Sequence, residues 1–328
     1  MPNSTTYSFL ILSVFLTVGC GSQPAPKSQP SSVVPVQEQT EKRSIGKFME
    51  SKNELPVGER IALYHQLKRE EPTAYNFEVE KELNQYGYSL LFSDKQDEAI
   101  EIFKLLVSEF PADANPYDSL AEAYKMQGNE ELAILNYEKS LAINPENSNA
   151  KFEVDVMTGR LDILQTNWGK EIFKVPLPFA RSMNIVGIED ARFTKGWAKQ
   201  DSDEFWSYVF AWKIDHEGAV PEELLEKNIS LYFEGLMSRG KETLEATAVT
   251  EFTRAGKSSD PQAFTGTTEF MDTRLTKDRL TLNVQVESRQ CADQGKAVIV
   301  FWFSPKPFNH AIWTKLNTVK VLPDICSR

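Results

Sequence analysis

The sequence predicts an α+β protein, with N-terminal helical hairpins followed by an antiparallel sheet domain that packs on one long helix. Three observations predict this organisation. From Leu83 to Pro145 the chain repeats with a period of 34 residues, after Glu153 the apolar pattern changes from a helical period to the period of two typical of strands, and all six Trp residues lie after residue 150. A chain of 328 residues is long enough for two domains and a leader.

Residues 1–19 are predicted to be a signal peptide. Tyr7 to Val18 is a nearly uncharged apolar run, too short to cross a bilayer as a helix. It leads into Val18-Gly19-Cys20, which resembles the lipobox of bacterial lipoproteins. The resemblance implies that Cys20 becomes the acylated (palmitate-bearing) N-terminus and anchors the protein in the cell envelope, and Gly21 in place of Asp points to the outer membrane. The alternative is a soluble secreted protein, cleaved near Gly19, with Cys20 as a free thiol.

A flexible tether is predicted over residues 20–44. The segment from Gly21 to Gln39 is rich in Ser, Pro and Gln and has almost no apolar side chains. Such a segment cannot bury enough surface to offset the entropy of folding, so it is expected to connect the anchor to the folded part without a core of its own.

A helical module is predicted over residues 45–150. In the 34-residue register, small residues, aromatic residues and Pro recur at matching places: Gly87 with Ala121, Leu90 with Tyr124, Ala99 with Ala133, Phe103 with Tyr137, and Pro111 with Pro145. This pattern resembles the tetratricopeptide repeat (TPR), a pair of antiparallel helices. Small residues let the two helices approach, Gly128 serves the turn, and Pro145 stops the second helix. Val57 to Glu70 is predicted to be a half-repeat that caps the stack.

The resemblance to TPR proteins implies that the module binds a protein or peptide in a groove lined by the first helix of each repeat. By register, the groove positions are Lys81, Asn84, Tyr88, Leu91, Phe92, Asn115, Asp118, Glu122, Lys125 and Met126. After Pro145 a short polar stretch precedes strand-like sequence, and no further helix is predicted. We therefore expect the segment past the repeats, or the C-terminal domain, to cover the last helix of the module.

The stretch from Ile61 to Asn149 also resembles the TPR-bearing tail of some bacterial serine hydrolases of the β-lactamase class. The Ser-x-x-Lys spacing used by those enzymes occurs at Ser44 to Lys47 and at Ser238 to Lys241, but no Lys-Thr/Ser-Gly motif accompanies either. Both occurrences are attributed to chance, and the helical module is predicted to be shared without the enzyme.

An antiparallel sheet domain is predicted over residues 155–328. A strand at Phe205 to Ile214 precedes a helix that starts at Pro221, and four strands follow. Those strands are predicted at 244–248, 264–270, 279–287 and 297–303. The order of elements resembles that of cystatin-like and NTF2-like folds. The segment from Gly187 to Phe193 is predicted to be a loop of fixed geometry.

Four aromatic side chains line one face of the strand that ends at Ile214: Trp206, Tyr208, Phe210 and Trp212. They are interpreted as core that packs on the helix, and the alternative is a pocket for a small apolar ligand. Two cysteines remain after Cys20. Cys291 and Cys326 are expected to form a disulfide in an oxidising compartment, and the alternative is two buried thiols.

Charge and motifs exclude several function classes. Residues 1–150 hold 13 Lys and Arg against 22 Asp and Glu, which argues against nucleic acid as a partner. No metal-ligand spacing, phosphate-binding loop or Gly-x-Ser-x-Gly nucleophile elbow is present, so no metal, cofactor or catalytic residue is predicted. The sequence thus favours a membrane-anchored binding or scaffolding lipoprotein, with small-ligand binding or an unrecognised hydrolase as alternatives.

Overall fold

A computed structural model describes residues 41–238, 247–256 and 261–328, and residues 43–328 form one compact unit. The helices are α1 (Ile45–Glu50), α2 (Val57–Glu70), α3 (Glu80–Leu91), α4 (Gln96–Glu109), α5 (Ala114–Gln127), α6 (Glu130–Ile143), α7 (Ser148–Met157), α8 (Glu222–Ser238) and α9 (Ile312–Leu316). The strands are β1 (Leu164–Gln165), β2 (Gly169–Val175), β3 (Gly187–Phe193), β4 (Tyr208–Asp215), β5 (Val249–Ala255), β6 (Gln262–Met271), β7 (Arg279–Cys291), β8 (Lys296–Ser304) and β9 (Lys320–Val321). This order confirms the predicted fold class.

The two predicted hairpins are α3–α4 and α5–α6. Gly128 ends α5 with a φ of 84°, a left-handed conformation that favours glycine, so the chain turns sharply into α6. Gly87 lies against Phe103, where an added Cβ would be 2.5 Å from the ring. The small residues of the repeat therefore serve close helix contact, as predicted. The capping helix has the predicted bounds, Val57–Glu70, but the short helix α1 precedes it and packs on α3.

A helix follows the second hairpin, so the prediction of none was wrong. Asn147 caps α7 by accepting hydrogen bonds from the amides of Asn149 and Ala150. Ala150 and Val154, one turn apart, are buried in the core of the helical module. The strand-like alternation of this segment had suggested a strand, but its cap and its buried i, i+4 pair favour a helix. The predicted boundary at residue 150 therefore falls inside α7.

Seven strands form one antiparallel sheet in the order β2-β3-β4-β8-β7-β6-β5. Helix α8 follows Pro221 as predicted, and the four strands after it are β5 to β8. Strand β5 begins at Val249, later than the predicted 244–248, of which 244–246 lie outside the described residues. The segment Gly187–Phe193 is strand β3 and not a loop, because it pairs along its length with both β2 and β4.

Each face of the sheet has its own core. On one face, the aromatic side chains of β4 and β8 pack with α8. On the other, Val209, Ala211 and Trp302 pack with α9 and the last residues of the chain. The predicted aromatic strand begins later than expected, at Tyr208, because Trp206 lies in a turn with a φ of 48°.

A disulfide joins Cys291, at the end of β7, to Cys326. The Cα atoms are 5.0 Å apart, a separation that a disulfide can span. The bond holds the C-terminal segment against the second core, where Ile325 is buried.

Candidate functional site

The first helices of successive hairpins, α3 and α5, are joined side by side through polar side chains. Asn115 donates to Glu80 at 2.7 Å, Ser119 donates to Asn84 at 2.9 Å, and the hydroxyl of Tyr88 donates to Glu122 at 2.7 Å. These three bonds lie about one helical turn apart along α3. We call the surface formed by Lys81, Tyr88, Phe92, Asn115, Asp118, Glu122, Lys125 and Met126 the A-helix face.

Carboxyl groups gather at the centre of the A-helix face. Asp118 and Glu122 lie one turn apart on α5, and α7 adds Glu153. Asp118 accepts hydrogen bonds of 3.0 Å from the side chains of Asn147 and Asn149, and Lys125 pairs with Glu153 at 2.6 Å. Among the described residues, the ion pair that these three carboxyl groups form is that of Glu153 with Lys125.

Burial is the main cause of the raised pKa values of Asp118 and Glu122. The charge of Glu153 raises both pKa values further, while the hydrogen bonds from the two Asn side chains and from Tyr88 lower them. A cation brought to this place would favour the ionised carboxylates and would itself be attracted.

Two apolar side chains of the A-helix face are open to solvent. Phe92 and Met126 are 65% and 41% exposed, and they occupy the same register at the ends of α3 and α5. Phe92 stacks on Tyr88 with a centroid distance of 5.7 Å. Phe92 and Met126 add exposed apolar area to this face, and aromatic and Met side chains are enriched in protein interfaces.

The structure places the ten predicted groove residues as follows. Nine of them have side chains that are at least partly accessible, and they lie on α3, at its C-cap residue Phe92, or on α5. One of the nine, Asn84, accepts a hydrogen bond from Ser119. Leu91 is wrong as a groove residue, because it is 1% exposed and packs beside Leu90 in the helical core. Glu80, Asn147, Asn149 and Glu153 were missed. Three of these follow α6, and the alignment of Asn149 with Asn115 in the 34-residue register was the signal that could have found them.

Strand β2 of the sheet contacts the next positions of the same register. Phe152 and Val156 of α7 follow Asp118 and Glu122 by 34 residues. The ammonium of Lys174 lies 4.7 Å from the centre of the Phe152 ring, and that of Lys170 donates to the carbonyl of Val156 at 3.2 Å. Two lysines of the sheet domain therefore contact α7 at these places.

The aromatic strand of the sheet domain is core and not an open pocket. Trp206 and Trp212 are at most 2% exposed, and their indole N–H groups donate to Asp272 at 3.1 Å and to Glu189 at 2.7 Å. Phe210 contacts Tyr232 of α8 at a centroid distance of 5.1 Å. Two open surface depressions of the described residues lie elsewhere, one between α2, α4 and α5–α6 and one beside the start of α8.

Charged side chains are nevertheless buried in the sheet. Glu189 is fully buried, and burial is the first cause that raises its pKa to about 8. Burial also raises the pKa of Glu171, on the neighbouring strand, to about 7. Asp190 points to the opposite face, where it accepts from the amides of Ile163 and Leu164 and from Arg192. These groups fix the sheet and the segment before it.

The residues considered for catalysis have structural partners. Ser44 caps α1, accepts from the amide of Lys47 and donates to Glu82. Ser238 donates to the carbonyl of Gly235, and Lys241 lies outside the described residues. Within the described ranges, no group of three or more His, Cys, Asp or Glu side chains could hold a metal ion. No helix in those ranges is long and apolar enough to span a membrane.

No family model matches the chain, and no curated protein matches it. Among solved structures, the chain is similar to MamA, with 16% identity, coverage of 35% of this chain and 84% of that chain, and a TM-score of 0.25. It is also similar to the Sgt2 TPR domain from Aspergillus fumigatus, with 19% identity, coverage of 40% of this chain and 84% of that chain, and a TM-score of 0.26.

Proposed function

We propose that this protein is a non-enzymatic binding or scaffolding protein that holds a protein or peptide partner on the A-helix face. The observation that carries the proposal is the exposure of Phe92 and Met126, in matching register, beside the carboxyl groups of α5. Trp206, Tyr208, Phe210 and Trp212 of the sheet domain, in contrast, are buried in the core. Apolar contact area with a polar surround is the arrangement from which partner surfaces are built.

Co-purification from native membranes tests this proposal with two matched pairs of substitutions. Phe92→Ser combined with Met126→Ser removes the exposed apolar groups of the A-helix face. Leu135→Ser combined with Ile143→Ser removes groups of similar exposure, 44% and 41%, from α6. The partner is expected to be lost with the first pair and retained with the second. Equal retention by both variants would refute the proposal.

We further propose that Cys20 carries a lipid anchor that holds the protein in the cell envelope, at the outer membrane. Cys20 lies outside the described residues, and the support is the apolar run with its Val18-Gly19-Cys20 ending. Mass spectrometry of the mature N-terminus is expected to find an acylated cysteine, and Cys20→Ala is expected to leave the membrane fraction. A mature protein that starts at another residue would rule out the anchor.

A further inference from the structure

The helical module has a strong negative charge. From Arg43 to Met157 there are 12 Lys and Arg against 22 Asp and Glu, a net charge of −10, while the whole chain has −11. The negative potential of the chain therefore comes almost entirely from this module, and it attracts cationic partners and repels anionic ones over the distance that salt allows.

Part of this charge lies within reach of a ligand on the A-helix face. Asp118, Glu122 and Glu153 converge between α5 and α7, and Lys125 is already paired with Glu153. Polar neighbours satisfy hydrogen bonds of Asp118 and Glu122, but they carry no positive charge. The face is therefore anionic at its centre and apolar at Phe92 and Met126.

Two lysines of the sheet domain contact α7 at the positions that lie 34 residues after Asp118 and Glu122. Phe152 and Val156 correspond to Asp118 and Glu122, and the ammonium groups of Lys174 and Lys170 contact them. A lysine over an aromatic ring gains from the negative face of the ring, and an ammonium gains from a carbonyl oxygen. Lys170 also pairs with Asp162 at 3.0 Å, so cationic side chains lie against α7 where the register of Asp118 and Glu122 continues.

We propose that the partner segment held by α3 and α5 carries a Lys or Arg side chain that pairs with Asp118 and Glu122, next to an apolar side chain that contacts Phe92 and Met126. The inference rests on the proposed function and names the chemistry of its partner. The neighbouring Tyr88, which bonds to Glu122 and stacks on Phe92, joins the two halves of this site.

Selection from a phage library of random dodecapeptides on the immobilised full-length protein tests the inference. The wild-type protein is expected to enrich peptides with Lys or Arg beside an aromatic or large aliphatic residue. Asp118→Asn combined with Glu122→Gln removes both charges with similar side-chain volumes, at the loss of one of the two hydrogen bonds that Asp118 accepts, and is expected to lose the preference for basic residues. Glu138→Gln, on α6, is expected to keep the preference. A selected basic peptide should bind the neutralised variant at least about tenfold more weakly, which corresponds to about 1.4 kcal/mol, because the variant can no longer form the charge-assisted hydrogen bonds.

The outcomes separate this inference from the proposed function. If the enriched peptides are neutral or acidic and still lose binding to Phe92→Ser, the face binds peptides but the partner is not basic, and the inference is overturned. If the peptides bind without regard to substitutions on the A-helix face, or if none is enriched, both the inference and the proposed function fail.

Discussion

Glu189 shows how a single residue can oppose the stability of the domain that contains it. Its carboxyl group is fully buried near Trp212, Tyr208 and Tyr232, where it accepts a hydrogen bond of 2.7 Å from the Trp212 indole. Burial raises its pKa to about 8, from an ordinary value of 4.5. The folded protein therefore keeps a proton that the unfolded chain releases, so the free energy of unfolding falls as pH rises from about 4.5 to about 8.

Glu189→Gln is predicted to be more stable than the wild type, by an amount that grows with pH up to about pH 8. The amide oxygen still accepts from Trp212, and no buried charge has to form. The limiting slope of the difference is about 1.4 kcal/mol per pH unit. Urea unfolding between pH 5 and 9 measures it, with Glu223→Gln on the exposed side of α8 as the control. If the free energies of unfolding of wild type and Glu189→Gln differed by the same amount at every pH, the raised pKa of Glu189 would be contradicted.

At the scale of single elements, the close contact of α3 and α4 depends on Gly87. A Cβ at this position would lie within 3 Å of three atoms of the Phe103 ring, which is fully buried. Gly87→Ala is predicted to destabilise the protein by about 1–3 kcal/mol because the ring cannot move without strain. Gly58→Ala is the control, since no atom lies within 4 Å of its Cβ, and alanine is expected to be neutral or slightly stabilising there. Equal unfolding midpoints for both variants would contradict this account.

Helix α7 is predicted to protect α6. Val154 is 3% exposed and covers the last hairpin, so Val154→Asp would bury a charge and detach α7. Hydrogen exchange of the α6 amides should then accelerate, while Lys151→Asp, on the exposed side of α7, should leave it unchanged. Unaltered α6 exchange in Val154→Asp would show that α6 needs no cover.

The elements differ in how far the sequence could predict them. The positions of α3 to α6 followed from the 34-residue register, because the small and aromatic residues that set it are needed for packing. Strand β3 was missed, since Glu189, Asp190 and Arg192 are rare on buried strands and their partners come from distant segments. Helix α7 was missed because Phe152, Val154 and Val156 alternate as strand residues do.

The candidate site was partly predictable for the same reason. The register placed Tyr88, Asp118 and Glu122 on one face, but it did not distinguish Leu91, which turns into the core. The contribution of Glu153 and the contacts from β2 depend on the fold of the segment after Pro145 and on long-range placement of the sheet. A 34-residue period carries no information about either.

At the scale of the whole molecule, strand β2 and the C-terminus connect the sheet domain to α7. Lys170, Lys174 and Arg328 contact Val156, Phe152 and Gly159. This agrees with the expectation that the chain past the repeats covers their last helix, with α7 as the cover and β2 next to it. The sheet domain thus borders α7.

The disulfide is predicted to stabilise the packing of the C-terminal segment against the sheet. Cys291 and Cys326 are 35 residues apart, and closing such a loop contributes about 3–4 kcal/mol in the chain-entropy model. Replacing both cysteines with Ser should lower the free energy of unfolding by about 3–4 kcal/mol. Reduction of the disulfide in the wild type should lower it by a similar amount. Alkylation of both thiols in the unreduced, denatured protein would contradict the bond.

The central claim is that the A-helix face holds the partner, and photo-crosslinking in living cells tests it most directly. A photoreactive amino acid is placed at Met126 of the A-helix face or at Ile143 of α6, two positions with the same 41% exposure. The account predicts a covalent adduct with one partner from position 126 and none from position 143. An adduct from position 143 alone, or none from position 126, would contradict it.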